Sequence, residues 1–193
     1  MQGSTRPIGR PRREGLDDAI LRATLSELAR VGYARMTIAA VAARANTTKP
    51  TVYARFPTKA ELAARALESL RRRTPRNRTG EVRADLIEEL SLLRSGALRQ
   101  NGITMLAAVL AEEHANPELL RLFRKHVIAP RRENLRLILT TARENGQLDP
   151  GVDIDAGISM LVGSLYAAYS AGESPGPDWP ARVVDAWLRS NAE

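Results

Sequence analysis

Apolar residues recur at spacings of three and four along most of the chain, which is the period of an amphipathic α-helix. Between Leu16 and Gly32, for example, Ile20, Leu28 and Val31 fall on one face of such a helix. No segment shows the alternation of apolar and polar residues that a half-buried strand produces. The pattern predicts an all-α protein, with helices over residues 16–32, 38–45, 49–56, 58–73, 82–99, 103–115, 118–145, 155–171 and 179–190.

Residues 37–62 contain two short helices joined by a tight turn, followed by the start of a third helix. Thr37 and Thr48 each precede a helix, where a hydroxyl caps free backbone N–H groups. Asn46 follows the first helix and tolerates the left-handed conformation in which many helices end. Pro50 falls in the first turn of the second helix, where its missing N–H costs nothing. Two helices joined in this way form a helix-turn-helix, whose second helix lies in the DNA major groove.

The second helix of this motif carries hydroxyls, a lysine, a phenol and a guanidinium, which suit contacts with base edges and phosphates. These groups belong to Thr48, Lys49, Thr51, Tyr53 and Arg55. The helix over residues 16–32 completes a three-helix DNA-binding unit, and Thr58 with Glu61 forms a capping box that opens the fourth helix.

Residues 47–59, which read TTKPTVYARFPTK, resemble the recognition segment of the TetR family of bacterial transcriptional regulators. Two positions depart from the family pattern, because Asn46 stands where glycine is usual and Thr47 stands where valine is usual. Asparagine can make the same turn, whereas Thr47 loses some apolar packing and is expected to have its hydroxyl available to DNA. The resemblance implies a DNA-binding regulator, with a ligand-responsive repressor on a palindromic operator as the expected form.

The residue types and the resemblance together predict a surface that contacts double-stranded DNA. The resemblance gives Lys59, in the first turn of the fourth helix, the role of binding the DNA backbone, and an ordinary exposed lysine is the alternative. The predicted set is Thr37, Arg44, Thr47, Thr48, Lys49, Pro50, Thr51, Tyr53 and Lys59.

The positive charge of the chain is concentrated in the part that contains the helix-turn-helix. Residues 1–73 carry 15 Lys and Arg against 6 Asp and Glu, whereas residues 74–193 carry 14 against 16. A basic unit joined to a nearly neutral one indicates a polyanionic partner for the first unit alone. An anionic lipid surface is the rival partner, but it would require a basic amphipathic helix, which the sequence lacks.

Breaks in the apolar pattern divide the chain into four segments. Residues 1–15 are predicted to be a disordered basic tail, which either enters a minor groove or acts only as a solubilising tail. Residues 16–73 form the DNA-binding domain, and residues 74–80 form a basic linker with Pro and Gly. Residues 81–193 form a helical bundle, which resembles a TetR-type effector-binding and dimerisation domain.

The effector role of this bundle predicts a cavity for an unknown small molecule, lined by apolar and aromatic side chains. The alternative for each of these side chains is that it only fills the core. Pro130 should kink or split the long helix over residues 118–145. The candidate ligand-binding residues are Met105, Val109, Phe123, Val127, Met160, Leu161, Tyr166 and Tyr169, with Leu110 nearby and His114, His126 or Asn134 as polar anchors.

The helix over residues 155–171 is rich in small residues, which allow another helix to approach closely. Such a face is either buried within one chain or paired across a two-fold axis. The family resemblance favours pairing, through the last two helices of each chain. A homodimer is therefore predicted, with Gly163, Ala167, Ala171, Val183 and Trp187 at its interface.

Other functions find little support in the sequence. The chain has no cysteine, and His114 and His126 belong to separate predicted helices, so we expect neither a metal site nor a cofactor. No nucleophile elbow, phosphate loop or dinucleotide motif indicates an enzyme. There is no long apolar run and no signal-peptide core, so a cytoplasmic location without membrane contact is expected. A constitutive architectural DNA-binding protein, whose second domain binds no ligand, remains the main alternative.

Overall fold

The computed structural model describes residues 15–69, 78–98 and 102–191. These residues form helices and loops and contain no strand, so the predicted all-α fold is confirmed. None of their helices has both the length and the apolar character needed to cross a bilayer. Most of the predicted tail (1–15) and linker (74–80) lies outside the described residues.

The helix boundaries agree with the sequence pattern at most positions. The predicted end of the fourth helix at residue 73 and that of the fifth at residue 99 lie outside the described residues. The sixth helix is shorter than predicted, because residues 112–115 form turns instead of continuing it. The helices are α1 (Leu16–Arg35), α2 (Ile38–Arg44), α3 (Lys49–Tyr53), α4 (Lys59–Ser69), α5 (Val82–Ala97), α6 (Gly102–Ala111), α7 (Pro117–Phe123), α8 (Ala129–Glu144), α9 (Ile154–Ser170) and α10 (Trp179–Leu188).

α1 is interrupted at Gly32, where the sequence predicts its end. Gly32 has a φ of 73°, a left-handed value that glycine adopts without the steric cost of a Cβ atom. One further turn, from Tyr33 to Arg35, follows the interruption. This turn carries the Tyr33 ring into the protein core and places the backbone for the α2 cap at Thr37.

Pro130 divides the predicted long helix as expected. The chain runs from α7 into a π-helical turn, Arg124–Ile128, and then into α8, where Pro130 occupies the first turn. Proline has no N–H to donate within a helix, so the start of a new helix accommodates it with little cost. The π-helical turn holds Val127 in the protein interior.

Buried side chains form two hydrophobic cores. The first core contains α1–α4 together with α6, α7 and the π-helical turn, and it includes Ile20, Val52 and Leu119, none of which has exposed surface. The second core contains α5, α8, α9 and α10. The first core therefore extends across the predicted linker, because the helix-turn-helix unit packs on α6 and α7 through α1 and α4.

Candidate nucleic-acid interface and effector cavity

Local hydrogen bonds fix the two helices of the helix-turn-helix and the turn between them. The Ala40 N–H donates to Thr37 Oγ1 at 3.1 Å, which caps α2. Asn46 has a φ of 51° and makes the predicted left-handed turn. The Thr51 N–H donates to Thr48 Oγ1 at 3.4 Å, and the two threonine hydroxyls lie 2.9 Å apart. The predicted caps at Thr37 and Thr48 are therefore present.

The recognition helix α3 is anchored on one side and open to solvent on the other. Val52 is fully buried in the first core and fixes the depth of the helix. Thr48, Lys49 and Tyr53 are exposed, and Tyr53 has a fractional exposure of 48%. A helix of five residues would not be stable alone, so this packing is what presents its polar groups.

Arg44, a predicted DNA contact, is held by a buried carboxylate. Glu27 of α1 is only 2% exposed, and its Oε1 accepts from Arg44 Nη2 at 2.8 Å. Arg30 Nη2 donates to Glu27 Oε2, also at 2.8 Å. Hydrogen bonds from Arg30 and Arg44 hold the pKa of Glu27 below its ordinary value, although burial opposes that shift. The cluster fixes α2 to α1 and leaves both guanidinium groups partly exposed.

Lys59 contacts the end of α1 as well as solvent. Its Nζ donates to the Ala34 carbonyl at 3.1 Å and lies 4.5 Å from the centroid of the Tyr33 ring. Partial burial lowers the pKa of Lys59, and the charge of Glu112 partly opposes this shift. Glu112, directly after α6, therefore places a negative charge near Lys59, the residue predicted to bind a DNA phosphate.

Arg55 is not in the predicted set of DNA-contacting residues, and its side chain makes hydrogen bonds within the protein. Its Nε donates to Asp17 Oδ1 at 2.6 Å, and its Nη1 donates to the Thr51 carbonyl at 3.2 Å. The first bond ties the chain after α3 to the first turn of α1, and the second holds the Arg55 side chain along α3. Helical periodicity gave no signal for this pair, because its members lie 38 residues apart.

A cavity of about 60 Å³ lies between α4 and the helices that follow it. Most of its walls are apolar, and two of the lining residues carry polar atoms in their side chains. Of the predicted ligand-binding residues, Phe123, Val127 and Tyr166 line it. The complete lining is Leu67, Leu93, Gly96, Ala97, Gly102, Ile103, Leu106, Phe123, Val127, Ile128, Arg131 and Tyr166.

The other predicted ligand-binding residues lie elsewhere. Met105 and Val109 are buried in the first core, and Leu161 is buried in the second. Met160 and Tyr169 are 64% and 47% exposed, so these two do not point into an internal cavity as predicted. The sequence pattern of a helix shows that a residue is apolar. It does not show whether that side chain faces the core of its own chain or an exposed surface.

The histidines do not meet in a metal-binding arrangement. His114 is exposed, whereas His126 lies in the π-helical turn, with its Nδ1 4.0 Å from Glu68 Oε2. Within the described ranges, no group of three or more His, Cys, Asp or Glu side chains could hold a metal ion.

Comparison with known families gives matches over both halves of the chain. A family described as "Bacterial regulatory proteins, tetR family" matches residues 20–66, which include the whole helix-turn-helix. A second, described as "Tetracyclin repressor-like, C-terminal domain", matches residues 76–187. The chain belongs to the TetR family.

Relatives of this TetR-family protein match it over most of its length. The uncharacterized HTH-type transcriptional regulator Mb1581 of Mycobacterium bovis is 33% identical over 168 residues, covering 86% of this chain and 82% of that protein. The DNA-binding transcriptional repressor TetR of Mycobacteroides abscessus is 32% identical over 139 residues, covering 71% of this chain and 72% of that protein. The crystal structure of the TetR family transcription regulator SCO0332 is 27% identical and has a TM-score of 0.66, with coverage of 91% and 98%.

Membership of the TetR family gives the protein its function at a general level: it is a helix-turn-helix transcriptional regulator that binds DNA. The exposed polar face of α3 is the surface expected to enter the groove. The predicted DNA-contacting residues lie at the cap of α2, on α2, on α3, in the turn between these helices and at the start of α4.

Two of the predicted dimer residues lie on α9 of this TetR-family chain and a third directly after it, whereas Val183 of α10 is half-buried against the second core. Ala167 and Ala171 are exposed, and a Cβ atom added at Gly163 would meet nothing within 4 Å. Met160 shares this face by helical spacing. Trp187 is different, because it is buried against α9, where a Cβ atom added at Gly157 would lie 2.6 Å from Trp187 Cζ2. The Trp187 ring is thus covered within its own chain, and a place for this residue at the dimer interface stays a prediction.

Proposed function

We propose that this protein is a ligand-responsive repressor that binds a palindromic operator as a homodimer. The observation that carries the proposal is the geometry of α3, which is anchored by Val52 and capped by Thr48. That arrangement leaves Lys49 and Tyr53 exposed for a DNA groove. The repressor role is supported by the relative from Mycobacteroides abscessus, which is named a transcriptional repressor.

The open face of α9 supports the homodimer. It combines small side chains with the large apolar Met160, and it belongs to a helix whose opposite face is buried in the second core. Two copies related by a two-fold axis would place their α3 helices toward successive half-sites, about 34–36 Å or a multiple of that distance apart. This spacing is the reason for expecting a palindromic operator.

The cavity supports a response to a ligand, because it is lined both by α4 and by helices from the second half of the chain. Leu67 of α4 lines it together with residues of α5, α8 and α9. α4 also packs extensively against α1 of the DNA-binding unit. A ligand that binds more tightly when these walls move apart would favour a conformer in which the α4 helices of the dimer are displaced. The size of this shift is limited by the difference between the affinities of the ligand for the two conformers.

A constitutive DNA-binding protein without a ligand is the second candidate, and the size of the cavity favours it. About 60 Å³ is well below the roughly 300–1,000 Å³ of common small-molecule sites. A thermal-shift screen separates the two candidates, since a ligand at about 100 times its Kd stabilises the protein by about 2.7 kcal/mol. A screen without stabilisation would favour the constitutive form.

The DNA-binding function is tested by selecting bound duplexes from a random pool at two salt concentrations. We expect a palindromic consensus that survives the higher salt, because base contacts do not depend on counterion release as phosphate contacts do. Lys49→Ala and Tyr53→Ala should weaken binding to that consensus without unfolding the protein. Lys125→Ala, an exposed lysine on the π-helical turn, is the matched control. Sequence-blind binding, or wild-type affinity in both variants, would contradict the proposal.

A further inference from the structure

Two of the residues that line the cavity have polar side chains. Arg131 of α8 and Tyr166 of α9 line it together with apolar side chains and glycine. Both residues are half-buried. The site therefore offers a positive charge and a hydroxyl beside an apolar chamber.

Arg131 and Tyr166 line the same cavity from α8 and α9, two helices that pack against each other. Burial raises the pKa of the Tyr166 phenol, and the positive charge of Arg131 partly opposes that shift. Within the part of the chain that the structure describes, no side chain or backbone group is hydrogen-bonded to the Tyr166 hydroxyl. A guanidinium has five N–H donors in a planar fork, so Arg131 can serve a ligand in addition to any protein acceptor.

We propose that the cavity binds a small organic anion, with a carboxylate against Arg131 and Tyr166 and a short apolar body among Leu67, Leu93 and Phe123. This inference names the ligand class for the effector cavity, and so it rests on the proposed function. A carboxylate accepts two parallel N–H bonds from guanidinium and a further bond from a phenol. A cation would be repelled by Arg131, and an inorganic anion would gain nothing from the apolar walls.

The size of the cavity limits the apolar body. An engineered apolar cavity of about 150 Å³ accommodates benzene, so about 60 Å³ suits a smaller group unless the walls move. A ligand with roughly four to eight carbons must therefore displace part of the lining. The start of α6, at Gly102 and Ile103, and the end of α5, at Gly96 and Ala97, form the wall with the smallest side chains.

The test is calorimetric titration of the full chain with butanoate, hexanoate and benzoate, each paired with the alcohol of the same carbon skeleton. We expect the carboxylates to bind at least about tenfold more tightly than the alcohols, since only a carboxylate accepts charge-assisted, bidentate hydrogen bonds from a guanidinium. Arg131→Gln should remove this preference, and Tyr166→Phe should weaken carboxylate binding severalfold while keeping the ring that packs in the wall.

The control is Arg132→Gln. Arg132 follows Arg131 in α8, but its guanidinium contacts Ser159 and Asp155 at the surface and does not line the cavity. Circular dichroism confirms that each variant is folded. Equal binding of acids and alcohols, an unchanged preference in Arg131→Gln, or no binding of any carboxylate up to about 10 mM would overturn the inference.

A parallel measurement of operator binding separates this inference from the proposed function. Carboxylates that bind in an Arg131-dependent way but leave operator affinity unchanged would support the ligand class and contradict the ligand-responsive repressor. A protein that binds a palindromic operator but no carboxylate would support the DNA-binding function and overturn the ligand class.

Discussion

The Lys59 ammonium lies over the Tyr33 ring, and the residue remains half-buried and therefore partly accessible to solvent. The hydrogen bond to the Ala34 carbonyl uses one of its three donors. Two donors are left for a phosphate oxygen, so the structural contact and the predicted DNA contact are compatible. The contact with α1 would hold the ammonium in place before DNA arrives.

We predict that Lys59→Gln weakens operator binding and reduces the salt dependence of that binding. Each phosphate contact adds about 0.9 to the slope of log affinity against log salt, so the slope should fall by about one. Fluorescence anisotropy with labelled operator at several salt concentrations measures both quantities. Lys125→Gln is the control, and an unaltered slope in Lys59→Gln would identify Lys59 as an ordinary structural lysine.

Glu27 gives the DNA-binding unit a pH-dependent contribution to stability. Because the pKa of this carboxyl is lower in the folded chain than in the unfolded one, its contribution is complete above the unfolded value, near 4.5. The contribution disappears as the pH falls through the lower, folded pKa. At neutral pH, the hydrogen bonds with Arg30 and Arg44 should together contribute about 1–3 kcal/mol.

Replacement of Glu27 by Gln should therefore lower the free energy of unfolding at pH 7 by about 1–3 kcal/mol. The difference from wild type should shrink as the pH falls below about 4.5. Urea denaturation at several pH values, at fixed protein concentration, provides the measurement. Glu133→Gln removes an exposed carboxylate on α8 that also pairs with an arginine, and should change stability by much less. A pH-independent difference in Glu27→Gln would refute this account.

The sequence predicted single residues well where their role is local. Thr37, Thr48 and Asn46 act within three or four residues of their own position, so the chain itself contains the information. Contacts between distant residues gave no such signal. Glu27 with Arg44 is one example, and Lys59 with Tyr33 is another, because each depends on how two helices cross.

At the scale of helices, α9 and α10 pack closely because Gly157 leaves room for Trp187. A Cβ atom at this position would lie 2.6 Å from Cζ2 and 3.2 Å from Cε2 of the indole ring. The ring is large and buried, so either it or α10 must shift to accept a methyl group. The crossing of these helices therefore depends on one missing side chain.

We expect Gly157→Ala to lower the free energy of unfolding by about 1–2 kcal/mol, because the cost of overpacking exceeds the gain in helix propensity. Chemical denaturation at fixed protein concentration measures the change. Gly96→Ala in α5 is the matched control, since its Cβ would meet nothing within 4 Å. That control should keep or raise stability, by up to about 1 kcal/mol. A stable Gly157→Ala variant would show that the α9–α10 contact yields easily.

The periodicity of apolar residues predicted where the helices are. It did not predict which other helix packs on each apolar face. The stripe on α9 marks an apolar helix, but Leu161 faces the second core while Met160, one residue earlier, faces solvent. Pro130 predicted the break before α8, because the missing N–H is a local property. The π-helical turn that accommodates the break had no separate signal in the sequence.

At the scale of the whole molecule, the exposed face of α9 makes the clearest prediction. Met160→Glu should place a charge in the middle of the proposed dimer interface, where burial without a partner is costly. We expect a shift from dimer to monomer at micromolar concentration, measured by light scattering, with loss of high-affinity operator binding. Leu110→Glu, at another exposed large apolar residue on α6, is the control. A wild-type protein that is monomeric would contradict the proposed dimer directly.

The two cores divide the molecule differently from the predicted domains. The charge pattern and linker composition separate residues 16–73 from residues 81–193, yet α6 and α7 share a core with α1–α4. Periodicity identifies the apolar face of α6 but not the helix that covers it. This assignment depends on contacts between residues far apart in the sequence, which a single chain does not reveal.

The shared first core limits how this regulator can be rebuilt by protein engineering. A chimaera that joins residues 1–73 to the C-terminal half of another regulator would keep α1 and α4 but exchange the faces of α6 and α7 on which they pack. Unless those faces are transplanted too, the hybrid would contain mismatched side chains at the junction. In this architecture, a DNA-binding unit can therefore be exchanged between proteins only together with the α6 and α7 surface on which it packs.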